Sequence, residues 1–391
     1  MDRQKLVFLS GKRTPFGANG GALKTQHPTD LSHQAAQAAL EQSGVRADQI
    51  DHTIVGNVLL SAADTIYIPR HLGLRLGIPE NRPALGINRL CGSGFQVIVE
   101  AYHQMLAGET QAALVGGVEN MSMTPYLLTQ ARWGMRMGNA QAVDLLMEGL
   151  TDSYIQAPMA ITAENLAEQY GITREEADAF AVQSQTRTAS AEAAGHFQEE
   201  RIRLEELERD EHPRPQSTVE SLKKLKPVFK KEGVVTAANA SGIVDGAAML
   251  VVSTESFAQK QKLDPLGGLV SYGIVGCDPN IMGIGPVEAS RQALKRAALS
   301  LDDMDLIEVN EAFAPQALAV QKALQIPNEK FNVNGGAIAI GHPLGATGSR
   351  ITMTALYELA RRGGRYALVS ACIGGGQGIA LVIENYKNRK G

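Results

Sequence analysis

Asn88-Arg-Leu-Cys-Gly-Ser-Gly-Phe-Gln96 is the stretch whose reading decides the fold. Just upstream, Pro83-Ala-Leu-Gly-Ile-Asn88 has the short apolar pattern of a buried strand. Downstream, Phe95, Ile98, Val99, Tyr102 and Leu106 recur at helical spacing over 95–107, and Gly108 ends the run. Cys91 therefore falls in a glycine-flanked turn between strand and helix. Free backbone N–H groups at a helix start favour negative charge, which lowers a thiol's pKa and supplies a nucleophilic thiolate. Gly92 and Gly94 leave no side chain to block a substrate and permit backbone angles that other residues resist. Taken alone, Cys91 fits equally a nucleophile and a buried structural thiol, the common state of an unpaired cysteine.

Outward from this turn, strand and helix patterns alternate. Residues 6–9 read as a strand, 30–42 as an alanine-rich helix ended by Ser43-Gly44, 52–59 as a strand, 68–76 as a short helix, and 112–115 as a strand closing on Gly116-Gly117. The rhythm returns near the other end: helix over 286–298, strand Leu306–Val309, helix Ala314–Leu324, an apolar run Ala337–Ile340, helix over 349–361 and strand over 367–370. The two ends align at one offset. Cys-Gly-Ser-Gly (91–94) falls on Gly-Ala-Thr-Gly (345–348) when Ala113-Leu-Val115 is laid on Ala367-Leu-Val369. A second match sets Ser241-Gly-Ile-Val-Asp-Gly, then Leu250-Val-Val252, against Gly374-Gly-Gly-Gln-Gly, then Leu381-Val-Ile383. This self-similarity predicts an α/β protein of two related halves, whose glycine turns meet at a shared crevice.

Between the halves, about 119–240 breaks the alternation and reads as an excursion covering the site. Residues 121–138 are rich in Met and polar side chains. Thr173-Arg-Glu-Glu176 is a capping box opening a helix to about Ala193. The mixed charges of 199–211 read as a solvated face. Residues 214–231 hold six Lys/Arg against one acid, Glu220, a cluster able to receive phosphate groups.

Composition narrows the function class. The chain has 391 residues, 44% hydrophobic, with 40 glycines, a net charge of −4 and three cysteines, Cys91, Cys277 and Cys372. The cysteine count gives no secreted-type disulfide framework and points to a reducing compartment. No short-spaced Cys/His cluster indicates a metal, and the charge gives no pull towards nucleic acid. No apolar run approaches a membrane span of ~20 residues. The first ten residues turn polar too soon for a signal peptide and lack a long Arg/Ser-rich transit pattern. The expectation is a soluble protein of the bacterial cytoplasm, with the mitochondrial matrix as the alternative.

Three more stretches share the look of the Cys91 turn. Asn310-Glu-Ala-Phe-Ala314 sits at a strand end, where α/β sheets present ligands. Gly335-Gly-Ala-Ile-Ala-Ile-Gly-His-Pro-Leu-Gly-Ala-Thr-Gly348 sets His342 among glycines, alone among the eight histidines. Ala371-Cys-Ile-Gly-Gly-Gly-Gln-Gly378 sets a second cysteine on a glycine turn after a strand. Asn310 could instead be a turn former, and Cys372 a core thiol. As a set, they suit thioester chemistry with carbon–carbon bond making or breaking: one cysteine acylated, a histidine to take its proton, a second cysteine to move a proton at carbon, and backbone N–H groups for an oxyanion.

On these motifs the chain resembles the thiolases, and within them the mitochondrial-type 3-ketoacyl-CoA branch. Further matching stretches are Lys12-Arg-Thr-Pro-Phe-Gly17, Gly116-Gly-Val-Glu-Asn-Met-Ser122, Met159-Ala-Ile-Thr-Ala-Glu-Asn-Leu166, Arg214-Pro-Gln-Ser217, Asn239-Ala-Ser-Gly242 and Met282-Gly-Ile-Gly-Pro286, in the family's order over nearly the whole length. The resemblance implies the thiolase fold: two βαβαβαββ halves in an α/β/α/β/α layering, the N-terminal half at 1–118 and 241–268, a loop domain at 119–240, and the C-terminal half at 269–391. It implies that Cys91 takes the acyl group, His342 activates it, and Cys372 removes or returns the α-proton of acetyl-CoA. Asn310 would hold a water that forms one oxyanion hole with His342, and the N–H groups of Cys91 and Gly374 the other. Coenzyme A, bound as a substrate and not as a resident cofactor, would meet Arg214, Ser217 and Ser241, with Met159 and Phe313 near the pantetheine. A tetramer of tight dimers is implied, with no metal, nucleic acid or membrane insertion.

Two departures bear on direction. Pro158-Met-Ala160 stands where short-chain biosynthetic members have His-Met-Gly, and Val244 where Asn or Asp is common. Both favour degradation of 3-ketoacyl-CoA over condensation of two acetyl-CoA. A ketoacyl synthase would not need Cys372 in its glycine loop, and a non-catalytic acyl-CoA or lipid binder would not need both Cys91 and His342.

Overall fold

The computed structural model describes residues 5–387. The N-terminal elements are β1 (Leu6–Arg13), α1 (Pro28–Ser43), β2 (His52–Gly56), α2 (Ile68–Arg75), β3 (Ala84–Ile87), α3 (Ser93–Leu106) and β4 (Ala112–Glu119). After the excursion, which contains α4 (Met159–Tyr170) and α5 (Arg174–Ala193), come β5 (Val244–Thr254), β6 (Gly267–Gly276), α6 (Gly285–Ala297), β7 (Leu306–Val309), α7 (Ala314–Leu324), the single turn α8 (Ala337–Ile340), α9 (Leu344–Arg362), β8 (Tyr366–Ile373) and β9 (Gln377–Asn385).

The duplication read from the glycine turns is visible in the strand pairing. A ten-stranded sheet follows the order β7-β8-β9-β6-β1-β5-β4-β2-β3, with Gly17–Ala18 pairing beside β5. In the first half β1–β5 and β5–β4 are antiparallel and β4–β2 parallel. In the second, β6–β9 and β9–β8 are antiparallel and β8–β7 parallel. Even the irregularity repeats, since the register slips between Phe8 and Ser10 in β1 and between Leu269 and Ser271 in β6. The halves join where Val7 and Phe8 pair with Gly268 and Gly267.

Period-two alternation sorts side chains into layers. Leu6 and Phe8 of β1, Leu250 and Val252 of β5, and Ile379, Leu381 and Ile383 of β9 face one core with α3 and α9. Val7, Leu9, Met249 and Val251 face the opposite way, onto α1 and α2. Ala380 and Val382 pack with α6 and α7. Helices α3 and α9 thus lie between the two half-sheets, which is the expected five-layer order.

The α3–α9 crossing corrects one reading of the glycines. A Cβ on Gly94 would stand 2.7 Å from Ser349 N and 2.8 Å from Gly345 O. Gly94 therefore admits the other helix, not a substrate. Ser349 Oγ seals the crossing by donating to Gly94 O at 2.8 Å. Helix α9 begins at Leu344, ahead of the predicted 349. Likewise β4 does not close on Gly116-Gly117 but runs to Glu119, because those glycines let the β5 and α9 backbones approach.

Three other expectations fail. β3 is an edge strand of partly exposed residues, not a buried one. β2 ends at Gly56, three residues short, because the N–H groups of Val58 and Leu59 turn away to Glu119. The charge run 199–211 is not wholly solvated. Glu200 and Asp210 are buried against the fully buried Arg13, at 2.6 Å and 2.7 Å, and Arg201 adds a 3.1 Å contact to Asp210. Buried charges persist when paired, a pairing invisible in sequence because Arg13 lies nearly two hundred residues away. The capping-box helix runs as expected, from Arg174 to Ala193, and its Ala177, Phe180 and Ala181 pack into the core with α6 and α7.

Candidate active site

The Cys91 turn is built by its neighbours' polar groups. Ser93 Oγ donates to Leu90 O at 2.7 Å and accepts from Arg89 N at 2.8 Å, while Asn88 Oδ1 accepts from Leu90 N at 3.0 Å. These bonds hold Leu90 at φ 47°, a left-handed conformation costly for a branched residue. The strain lies immediately before the cysteine and sets its direction. Cys91 packs beside Leu59, Met121 and Leu344.

The expected depression of the Cys91 pKa is overturned. Burial pushes the thiol up to about 11, and the nearby Glu119 carboxylate adds to the rise. The N–H groups of Gly374 and of Cys91 itself favour the thiolate but do not offset the desolvation. Cys91 is therefore a neutral thiol at rest, and its activation needs a base.

His342 is the imidazole of this cluster. It is buried, and its backbone N–H donates to Gly242 O at 2.9 Å. Its Nδ1 meets Thr347 Oγ1 at 2.6 Å and its Nε2 meets Asn310 Nδ2 at 3.2 Å. Thr347 Oγ1 donates its own proton to Pro343 O at 3.0 Å, so it must accept from Nδ1–H. The hydrogen-bond network thus assigns the proton to Nδ1 and makes Nε2 an acceptor, met here by the Asn310 amide N–H. Burial, then the positive Arg350, push the His342 pKa down to about 3, so the ring is neutral. Asn310 is buried, donates its own N–H to Ser370 O at 2.9 Å, and has a side-chain oxygen without a partner in the protein.

Cys372, fully buried in β8, is the second thiol. Burial, then repulsion from Cys91, hold its pKa well above the ordinary thiol value. Met282 and Ala312 enclose it, with Met159 and Phe313 against them. Gly374 lies two residues beyond. A Cβ there would come within 3.3 Å of both Leu90 and Met159. Cys91, His342, Asn310, Cys372 and Gly374 are thus drawn together, with Met159 and Phe313 on the Cys372 side.

The remaining expected contacts lie farther out. Ser241 N donates to Ala312 O at 2.9 Å, and Ala240 bridges Phe313, so Ser241 borders the Asn310 loop. Arg214 and Ser217 share an exposed turn closed by Ser217 N to Arg214 O at 3.0 Å. Neither meets the reactive side chains. Arg214 N donates to Gln185 Oε1 at 2.7 Å, and Gln185 Nε2 to Ile338 O at 3.3 Å, which ties this turn to the α8 segment before His342. A cavity of about 850 Å³ lies within 128–143 and shares no residue with this cluster. Among the described residues no group of His, Cys, Asp or Glu could hold a metal, and no helix is long and apolar enough to cross a membrane.

Two residues escaped the sequence reading. Thr347 served only as the repeat counterpart of Ser93, although a hydroxyl five residues after His342 is a usable signal. Glu119 lay inside a matching stretch with no role attached.

Two thiols, a neutral imidazole and the Gly374 N–H turned towards Cys91 are the parts of a thioester-handling acyltransferase site. The chain matches the family models for the thiolase N-terminal domain over residues 6–256 and the thiolase C-terminal domain over 263–385. It is 53% identical to the mitochondrial 3-ketoacyl-CoA thiolase of Bos taurus, over 97% of this chain and 98% of that one. To a beta-ketothiolase of Cupriavidus necator it is 46% identical, over 97% and 99%. The crystal structure of human mitochondrial 3-ketoacyl-CoA thiolase in complex with CoA superposes with a TM-score of 0.96 at 53% identity, covering 98% of each chain. The chain belongs to the thiolase family and is an acyltransferase.

Proposed function

We propose that the protein cleaves 3-ketoacyl-CoA with free CoA to acetyl-CoA and a shortened acyl-CoA, reversibly, through an acyl group on Cys91. The observation that carries this is the placement of the Gly374 N–H against the Cys91 sulfur, with Cys372 within electrostatic reach. His342 Nε2 accepts the Cys91 proton as sulfur attacks the 3-keto carbon, and the developing oxyanion is met by backbone N–H groups. The C2–C3 bond breaks, and Cys372 gives its proton to C2, releasing acetyl-CoA. A second CoA thiol loses its proton to Cys372 and attacks the acyl thioester. Cys91 leaves and recovers its proton from His342. The unpartnered Asn310 oxygen supports its reading as holder of the water in the second oxyanion hole.

Coenzyme A and acyl-CoA are read as substrates, with no tightly bound cofactor. Arg214 and Ser217 meet the nucleotide end, Ser241 is a further CoA contact, and Met159 and Phe313 lie near the pantetheine, with 119–240 as the covering domain. A relative solved with CoA supports this. A tetramer of tight dimers fits the one-sided edge strand β3 and the exposed Tyr126, Trp133 and Met137. Three unpaired cysteines support a reducing compartment, the bacterial cytoplasm or the mitochondrial matrix, and both kinds of relative are known.

Mass spectrometry after acetyl-CoA incubation tests the assignment. One acetyl adduct on Cys91 is expected, lost in Cys91→Ser, while Cys372→Ser still acylates but forms no carbon–carbon bond. An adduct on Cys372 alone would overturn it.

A further inference from the structure

Glu119 ends β4 and is fully buried. Its Oε1 accepts from Val58 N at 2.6 Å and from Gly345 N at 3.1 Å; its Oε2 accepts from Leu59 N at 3.2 Å and, more weakly, from Asn57 Nδ2 at 3.4 Å. Every neighbour offers a hydrogen, so only the ionised carboxylate satisfies them all. Leu59 packs with Cys91, and Gly345 lies three residues beyond His342. A Cβ on Gly345 would stand 2.8 Å from Oε1, so this glycine is what admits the carboxylate.

We propose that Glu119 is a positioning residue of the thiolase site: its carboxyl group clamps the segment that packs on Cys91 to the turn that carries His342. The clamp sets how the Cys91-packing segment and the His342 turn stand towards each other. Burial pushes the Glu119 pKa up to about 8, with Asp245 of β5 adding repulsion, so the four N–H partners are what keep the anion accessible. The ionisable groups that bear on Cys91 are Glu119 from β4 and Cys372 from β8, with the neutral His342 on the turn before α9.

The proposal rests on Cys91 as nucleophile, which the acyl-adduct experiment tests separately. The probe is iodoacetamide labelling of Cys91, read by mass spectrometry across pH, beside steady-state thiolysis. In Glu119→Gln, one oxygen is replaced by an amide facing N–H donors, and the charge is gone. Above pH ~8, where the wild-type carboxyl is ionised, Cys91 labelling should quicken, while kcat falls about tenfold or more as the bonds of the clamp are lost. A purely structural role would not speed labelling. Glu119→Asp keeps the charge and shortens the reach: the labelling profile should stay that of the wild type while kcat falls. This variant carries the test if Glu119→Gln does not fold. A Glu119→Gln enzyme with an unchanged labelling profile, or a Glu119→Asp enzyme with wild-type kcat, overturns the proposal.

Discussion

Thr347 offers the sharpest test of how His342 is made a base. Thr347→Val keeps the side chain's shape and removes the hydroxyl that accepts the Nδ1 proton at 2.6 Å. A buried N–H left without an acceptor costs about 1–3 kcal/mol. The ring can absorb that only by moving, or by shifting its proton to Nε2, where it could pair with the Asn310 oxygen once that amide turns. Either response costs the ring the Nε2 acceptor that the proposed mechanism needs. A loss of 1–3 kcal/mol from the transition state corresponds to a fall in kcat of ~5- to ~150-fold. Folding should be little affected, because Pro343 O keeps two other donors, Ala346 N at 2.9 Å and Thr347 N at 3.0 Å. The assay is thiolysis at saturating CoA, with melting temperature as control and Thr347→Ser as rescue. Since the hydroxyl touches no substrate, KM should change less than kcat. A folded Thr347→Val enzyme with kcat within twofold of wild type refutes both the tautomer and the role.

Other consequences can be measured independently. Arg214→Ala should raise the KM for CoA with a smaller change in kcat, and an unchanged KM would remove the nucleotide from this turn. Arg13→Met would leave Glu200 and Asp210 buried without their main partner, a loss of about 3–5 kcal/mol that should appear as a large drop in the urea midpoint or in soluble yield. His342 has its pKa depressed in the fold from 6.5 to about 3, so below pH ~6.5 the unfolded chain gains a proton that the folded one refuses. The wild type should therefore lose ~2 kcal/mol relative to His342→Asn between pH ~7 and ~5, read from urea unfolding at both values; a constant gap would contradict the burial of a neutral ring.

Most of the architecture was legible because it rests on local signals. Periodicity marked Leu306–Val309 and Ala314–Leu324 to the residue, and the capping box at Thr173 marked α5. The internal repeat exposed the duplication because the glycines at 94 and 348 are both needed at one helix crossing. What stayed hidden were properties of pairs far apart in sequence. Arg13 with Asp210, and Glu119 with Gly345, are ordinary charged and small residues until the chain folds. The Cys91 pKa was misjudged for a related reason. A helix start is a local feature and can be read, whereas the desolvation that outweighs it comes from Leu59, Met121 and Leu344, on three other segments.

That reversal changes how the site works. A depressed thiol would stand as a thiolate beside an imidazolium, and the ion pair would be stabilised before any substrate bound. Here burial pushes the thiol up and the imidazole down, so the resting pair is neutral and transfer between them is uphill. The proton can leave Cys91 only when the negative charge has somewhere better to go. In the proposed mechanism that place is the substrate's carbonyl oxygen, met by the N–H groups of Cys91 and Gly374. Charge separation is then largely deferred to the transition state, where stabilisation raises kcat and not merely binding.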